Sequence, residues 1–211
     1  MSRLLIALVA ALFLSGCLPV AWVVPPMQAE LGLGAATSLP PQDGAALTTP
    51  VAVGVYPLGA FEYLHDRNFD VGLGYRGLIY WADTNFLNGA YLEGAYLHNF
   101  HRTFRTGRWR AGAALRGHLY YGHPDARWMP AMGLRGTMEF VSFARFESAE
   151  CTLDLAGAFC GYSTGAGERG FGFFVEAQQS LTQSAHYIAL YGGIFWRIPA
   201  SAGAGVVANW R

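Results

Sequence analysis

The chain has 211 residues, of which 53% are hydrophobic, 15% aromatic and only 13% charged. A typical soluble domain carries about 25% charged residues. The 14 basic residues, every one an arginine, balance 14 acidic ones, and that neutrality excludes a nucleic-acid partner. Mean hydropathy is +0.23, yet nothing after the first twenty residues reads as a membrane helix. The absence of lysine reads as genome bias rather than as a site.

In chain order, Arg3 is the first charge, and Leu4 to Leu14 then runs without a polar side chain. That is the layout of a signal peptide. It is too short to span a bilayer, which needs about 20 apolar residues. The stretch ends Leu14-Ser15-Gly16-Cys17. Small residues just before a cysteine make this similar to the lipobox of bacterial lipoproteins, where the thiol accepts a diacylglyceryl group before cleavage. The resemblance implies that residues 1–16 are removed and that Cys17 carries the acyl chains, palmitate among them. Leu18 stands where an aspartate would hold many such proteins at the inner membrane, so the resemblance implies the outer membrane of a Gram-negative bacterium. Several acyl chains on one residue anchor firmly, where one alone is marginal. The competing reading is an ordinary secretory signal. Removing 16 of 211 residues leaves 195, with 13 arginines against 14 acids once Arg3 is gone.

Residues 17–50 are rich in proline, alanine and glycine and read as a lipidated linker, with a short strand over 30–36 as an option inside it. From Val51 the pattern changes to alternation of period two, the mark of strands. Eight segments follow, at about 51–64, 68–81, 89–101, 107–121, 130–144, 169–182, 185–198 and 202–211. Each reaches the roughly 9–11 residues a tilted strand needs to cross a bilayer. In 68–81, Phe69, Val71, Leu73, Tyr75 and Ile79 alternate with Asp70, Gly72, Gly74 and Arg76. In 107–121, Ala111, Ala113, Leu115 and Leu119 alternate with Arg110, Gly112, Arg116 and His118. One face suits lipid, and the other carries glycine and opposed charges. Aromatics such as Tyr80, Trp81, Trp109, Tyr121 and Trp196 gather near segment ends, as interfacial girdles do.

This pattern over 51–211 resembles the small outer-membrane β-barrel proteins. It implies an all-β fold: an eight-stranded antiparallel up-and-down transmembrane β-barrel. Such barrels usually end on an aromatic, whereas here Trp210 is next to last. Eight strands put both chain ends in the periplasm and the longest connection, 145–168, outside. If 30–36 were the first strand instead, that connection would be periplasmic.

Of three cysteines, Cys17 goes to lipid, so Cys151 and Cys160 pair as a disulfide in an oxidising compartment. A metal reading fails for want of ligands, since no histidine lies between residues 124 and 185. The inward face should include Glu62, Asp70, Arg76, Glu93, Arg110, Arg116, Arg135, Glu139 and Glu176. Among these, Arg76, Glu93, Arg116, Arg135, Glu139 and Glu176 form the expected lumen network. Eight strands leave room for side chains and little more, so salt-bridged filling outweighs a substrate or ion pathway.

No catalytic, cofactor-binding or metal site emerges. Outer-membrane lipid A deacylases carry a His-x-Ser pair. Here the residues two after each histidine are Arg67, Phe100, Thr103, Tyr120, Asp125 and Ile188. His98 and His101 point to opposite faces of a strand, and the glycine runs match no phosphate-binding fingerprint. The expectation is a lipid-anchored outer-membrane barrel with a structural or protein-interaction role, no cofactor and no enzymatic activity. Its partners are outer-membrane lipid and a periplasmic or outer-membrane protein. The alternatives are a lipid-modifying enzyme of deacylase type on the same barrel, and a lipid-anchored periplasmic β-barrel or β-sandwich carrier.

Overall fold

The computed structural model describes residues 17–38, 45–81, 86–100, 107–123, 127–154, 157–182 and 187–209. Residues 1–16, where the signal peptide is expected, and residues 210 and 211 lie outside these. The protein is all-β, and every strand pairing is antiparallel. The strands are β1 (Cys17–Val24), β2 (Met27–Ser38), β3 (Ala46–Val55), β4 (Phe69–Tyr80), β5 (Phe86–Asn99), β6 (Gly107–His123), β7 (Arg127–Asp154), β8 (Gly157–Ser180), β9 (Tyr187–Ile198) and β10 (Ala200–Asn209). Two short 3-10 turns, Pro57–Ala60 and Glu62–Leu64, lie between β3 and β4.

The chain divides into two units. One comprises Pro25–Ala144 and Gly167–Pro199, and the other Met1–Val24, Arg145–Ala166 and Ala200–Arg211. In the first, β2 to β9 pair each with the next, and β9 returns to β2, with Met27 opposite Ile198 and Ser38 opposite Tyr187. The result is a closed up-and-down ring of eight strands with no free edge. In this ring residues 26, 144, 167 and 199 lie at one end, and the strand ends at 38, 46, 80, 86, 123, 127, 180 and 187 lie at the other.

In the second unit the order is β1, β10, β8, β7: a four-stranded open sheet. Its core is the hairpin made by the far parts of β7 and β8, where Cys151 and Cys160 stand at disulfide distance and the Ser148 and Ser163 hydroxyls are hydrogen-bonded at 2.8 Å. β10 pairs with β8 from Ala200 opposite Ala166 to Asn209 opposite Gly157. β1 then adds to β10, with Cys17 opposite Ala208.

Three sequence expectations are thereby corrected. The linker over 17–50 is instead β1, β2 and the start of β3. The ring has eight strands, but its first is Met27–Ser38, and the segment 202–211 lies in the open sheet, not in the ring. The connection 145–168 is strand over 145–154 and 157–168, not loop, so β7 runs 28 residues and β8 24.

Alternation positions the interior. Along β4, Phe69, Val71, Leu73 and Tyr75 are exposed, while Asp70 and Arg76 are buried. Interior glycines make room for large rings. A Cβ at Gly54 would stand 2.1 Å from the Tyr91 hydroxyl oxygen, and one at Gly74 would stand 2.6 Å from the same ring. Backbone freedom matters at Gly167, whose φ is 150°. Just there β8 changes partner, from β10 to β9. The exposed parity changes with it, from residues 160, 162 and 164 to residues 171, 173 and 175.

Candidate functional site

The ring's interior is built from charged side chains supplied by seven of its eight strands, all but β3. They sort into two balanced groups, with a polar aromatic layer beyond them.

The central group sets Arg76, Arg116 and Arg135 against Glu30, Glu93 and Glu176. All six are buried, and the three arginines have no exposed surface. Arg116 is the hub. Its Nη1 and Nη2 donate to the two Glu30 oxygens at 3.0 and 2.8 Å. Its Nε donates to Glu93 at 2.8 Å, and its Nη1 lies 3.5 Å from Glu176. Arg135 donates to Glu30 at 2.8 Å, and Arg76 to Glu176 at 2.5 Å. Glu30 lies on β2 and Arg116 on β6, strands that are not neighbours, so these bonds cross the ring. Guanidinium planes also lie over aromatic rings: Arg116 is 4.2 Å from the centre of Tyr91, and Arg135 is 4.1 Å from that of Phe174. Bidentate, stacked guanidinium contacts suit arginine and would not suit lysine.

Tyr56, just past the end of β3, donates its hydroxyl to Glu93 at 3.1 Å. Burial, with the Glu93 carboxylate beside it, pushes this phenol well above its ordinary value. It therefore keeps its proton and remains a donor.

The second group lies toward the end of the ring that holds residues 26 and 199. Arg67, Arg108, Arg110 and Arg197 face Asp66, Asp70, Glu139 and Glu168. Glu168 accepts from Arg67 at 2.7 and 3.0 Å and from Arg110 at 3.2 and 3.1 Å. Glu139 accepts from Arg110 at 3.0 Å and Arg197 at 2.7 Å. Arg197 also pairs with Asp70 at 2.8 Å, and Arg108 with Asp66. Toward the other end, the His118 ring stacks on Tyr120 and reaches Glu176 at 3.2 Å. Tyr120 donates to Gln178, which donates to Tyr187 at 2.7 Å.

Of the expected lumen network, the structure brings Arg76, Glu93, Arg116, Arg135 and Glu176 together. Glu139 sits apart, in the second group with Asp70 and Arg110. Glu62 is corrected: it lies exposed on a 3-10 turn. Sequence reasoning missed Glu30 and Gln28, hidden in the supposed linker, and Glu168, hidden in the supposed loop. Arg197 was readable, since it alternates with Trp196 and Ile198. The side chain of Cys17 lies outside the described positions, as do His101, Thr103 and Asp125. Among the described residues, no group of three or more histidine, cysteine, aspartate or glutamate side chains is placed to hold a metal.

No family model matches the sequence, and no curated protein matches it either. The chemistry of the site therefore carries the functional reading. Each carboxylate above is engaged by at least one cation.

Proposed function

We propose that the protein is a lipid-anchored outer-membrane barrel with a structural or protein-interaction role, its lumen closed by its own paired charges. One observation carries this: the ring is inverted relative to a water-soluble barrel. Its outer surface is apolar, with Leu73 60%, Leu134 63% and Leu190 58% exposed, while its interior is ionic. A soluble carrier of lipocalin type would put its apolar side chains inside and charges outside. A ring wrapped in exposed leucine suits hydrocarbon, where closed barrels satisfy every backbone group. Ring strands of 10 to 17 residues, such as β3 and β6, are long enough to cross.

Acylation at Cys17 rests on the lipobox resemblance, and the Cys151–Cys160 pair fits an oxidising compartment. With Cys17 held by the periplasmic leaflet, the ring end bearing residues 26 and 199 faces the periplasm. Residues 144 and 167 are at that same ring end, so the 145–168 connection leaves the ring there. This reverses the usual placing of the longest connection outside.

The enzyme alternative has no support at the described histidines. His118 is buried on Glu176 and Tyr120, and His65 lies 3.8 Å from Glu168, inside the ion-pair network.

Purified protein in a planar bilayer tests the closed lumen. The expected outcome is no steady conductance. Reproducible, salt-dependent single-channel steps from the wild type would overturn it. A heat-modifiability gel tests the barrel, and intact mass of the mature chain tests the acylated Cys17.

A further inference from the structure

Inward glycines of the ring are required by its own packing. A Cβ at Gly72 would stand 2.5 Å from the Tyr56 ring, and one at Gly89 would stand 2.0 Å from the Leu119 carbonyl oxygen. Two glycines on the outer wall are different. At Gly94 of β5 and Gly117 of β6 a Cβ would meet nothing within 4 Å, and both residues are exposed. A glycine inside a strand weakens it and often marks a place where a ligand comes close. Nothing within this chain calls for glycine at these two positions.

Register shows what surrounds them. Gly117 stands between Leu92 of β5 and Met132 of β7, and Gly94 stands opposite Leu115. Leu92 is 60% exposed and Met132 42%, so large apolar side chains flank a bare stretch of backbone. A furrow of about 400 Å³ lies here, lined by Gly117, Ala90, Leu92 and Met132, and it reaches Pro130 and Leu181. That volume falls in the range of small-molecule sites, about 300–1,000 Å³.

The furrow leads toward a cation. Beyond Pro130 the rings of Tyr121 and Trp128 are in contact, 5.2 Å between centres. Arg127 follows, exposed at the first position of β7. The arginines inside the ring are all ion-paired, whereas Arg127 pairs with no carboxylate among the described residues. Five residue steps separate Met132 from Arg127, about 17 Å at roughly 3.3 Å per residue. The half-thickness of a hydrocarbon core is similar, about 15 Å.

We infer that the furrow over Gly117 is a lipid site, which seats one acyl chain of an anionic, phosphate-bearing lipid whose phosphate lies at Arg127. The occupant is a lipid rather than a second copy of the chain. Copies that span one bilayer share an orientation, so pairing through this wall would set Arg127 level with another Arg127 and neutralise neither. A phosphate neutralises it, and Tyr121 and Trp128 suit the headgroup level.

The inference rests on the membrane-barrel reading, and the test separates the two. The full chain is purified in detergent, checked by a heat-modifiability gel, and mixed with dimyristoylphosphatidylglycerol or dimyristoylphosphatidylcholine. Native mass spectrometry counts the lipid retained. The wild type should retain the anionic lipid several-fold more than the zwitterionic one. Arg127→Gln should lower that retention several-fold. Gly117→Leu and Ala90→Leu, which fill the furrow, should do the same, and two filling variants guard against loss of one fold. Ala113→Leu adds the same bulk to β6 outside the furrow and should change nothing. With the ring intact, equal retention of both lipids overturns the site, as does retention that Arg127→Gln or the filling variants leave unchanged. Dimers that Gly117→Leu dissolves overturn it in favour of a second copy. A chain that stays folded and monomeric in buffer without detergent overturns the membrane reading, and this inference with it.

Discussion

The ring and the open sheet share two strands, β7 and β8, yet they treat side chains in opposite ways. The ring encloses space, so one face of each strand sees no water. Glutamate and arginine survive there only because each is matched across the ring. An uncompensated charge in such a place costs several kcal/mol. The open sheet encloses nothing. Its β1 and β10 carry no charged residue, and the rings of Trp22, Phe146 and Phe159 lie against glycines. One sequence can therefore run a strand through both environments, provided the facing parity is reset where they meet, as it is at Gly167.

The largest expected break in this contrast is Arg116→Ala. It leaves Glu93 without its arginine and Glu30 with Arg135 alone, and should cost the ring about 3–5 kcal/mol, read as a lowered unfolding midpoint in detergent. Glu30→Gln in the same chain should recover part of the loss, while Glu139→Gln, in the other group, should not. A double-mutant cycle measures both. Equal coupling to Glu139 would refute the two-group description.

Leu134→Arg asks what surrounds the ring. In vesicles it should cost about 2–4 kcal/mol if residue 134 lies near the middle of a bilayer, read by urea unfolding in lipid. A cost below the noise would remove the membrane belt.

Cys151→Ser acts on the sheet instead. The bond closes a loop spanning residues 151 to 160 and is worth roughly 2–3 kcal/mol in the chain-entropy model. The loss should stay local: faster proteolysis of 145–166 with an unchanged ring midpoint. A fall in that midpoint as large as that from Arg116→Ala would mean the two regions unfold as one.

The smallest effect belongs to Glu62→Ala. An exposed carboxylate of this kind should change ring stability by less than about 1 kcal/mol, in contrast to Glu30. Calorimetry of the two variants side by side checks it.

The ring's character was legible in the sequence because period-two alternation with charge on one face has few other causes. Its boundaries were less so. β2 alternates Leu31 and Leu33 with Gly32 and Gly34, but prolines on both sides and small residues gave it the composition of a linker. β10 alternates too, so 202–211 reads as a ring strand. Yet it has no charged residue to send inward, whereas seven of the eight ring strands have one, and that lack was the available signal. The outer part of β7, Glu147 to Thr152, mixes polar and small residues on both faces. Nothing local marks it as strand, and it forms one through its partner across the hairpin. The pairing of particular arginines with particular glutamates was beyond reach, since it depends on which strands face each other across the ring.

The seam between β2 and β9 joins residues 27–38 to residues 187–198, and the one between β1 and β10 joins 17–24 to 201–208. Almost the whole chain lies between the partners in each case. Loop-closure entropy delays contacts of such sequence separation. The first strands made must therefore wait, with open hydrogen-bonding edges, until the last have been synthesised. The chain cannot close from its N-terminus onward, and an unfinished copy is an aggregation hazard that a holding chaperone would have to cover. Loss of even the last dozen residues of the ring would leave it open along its full height.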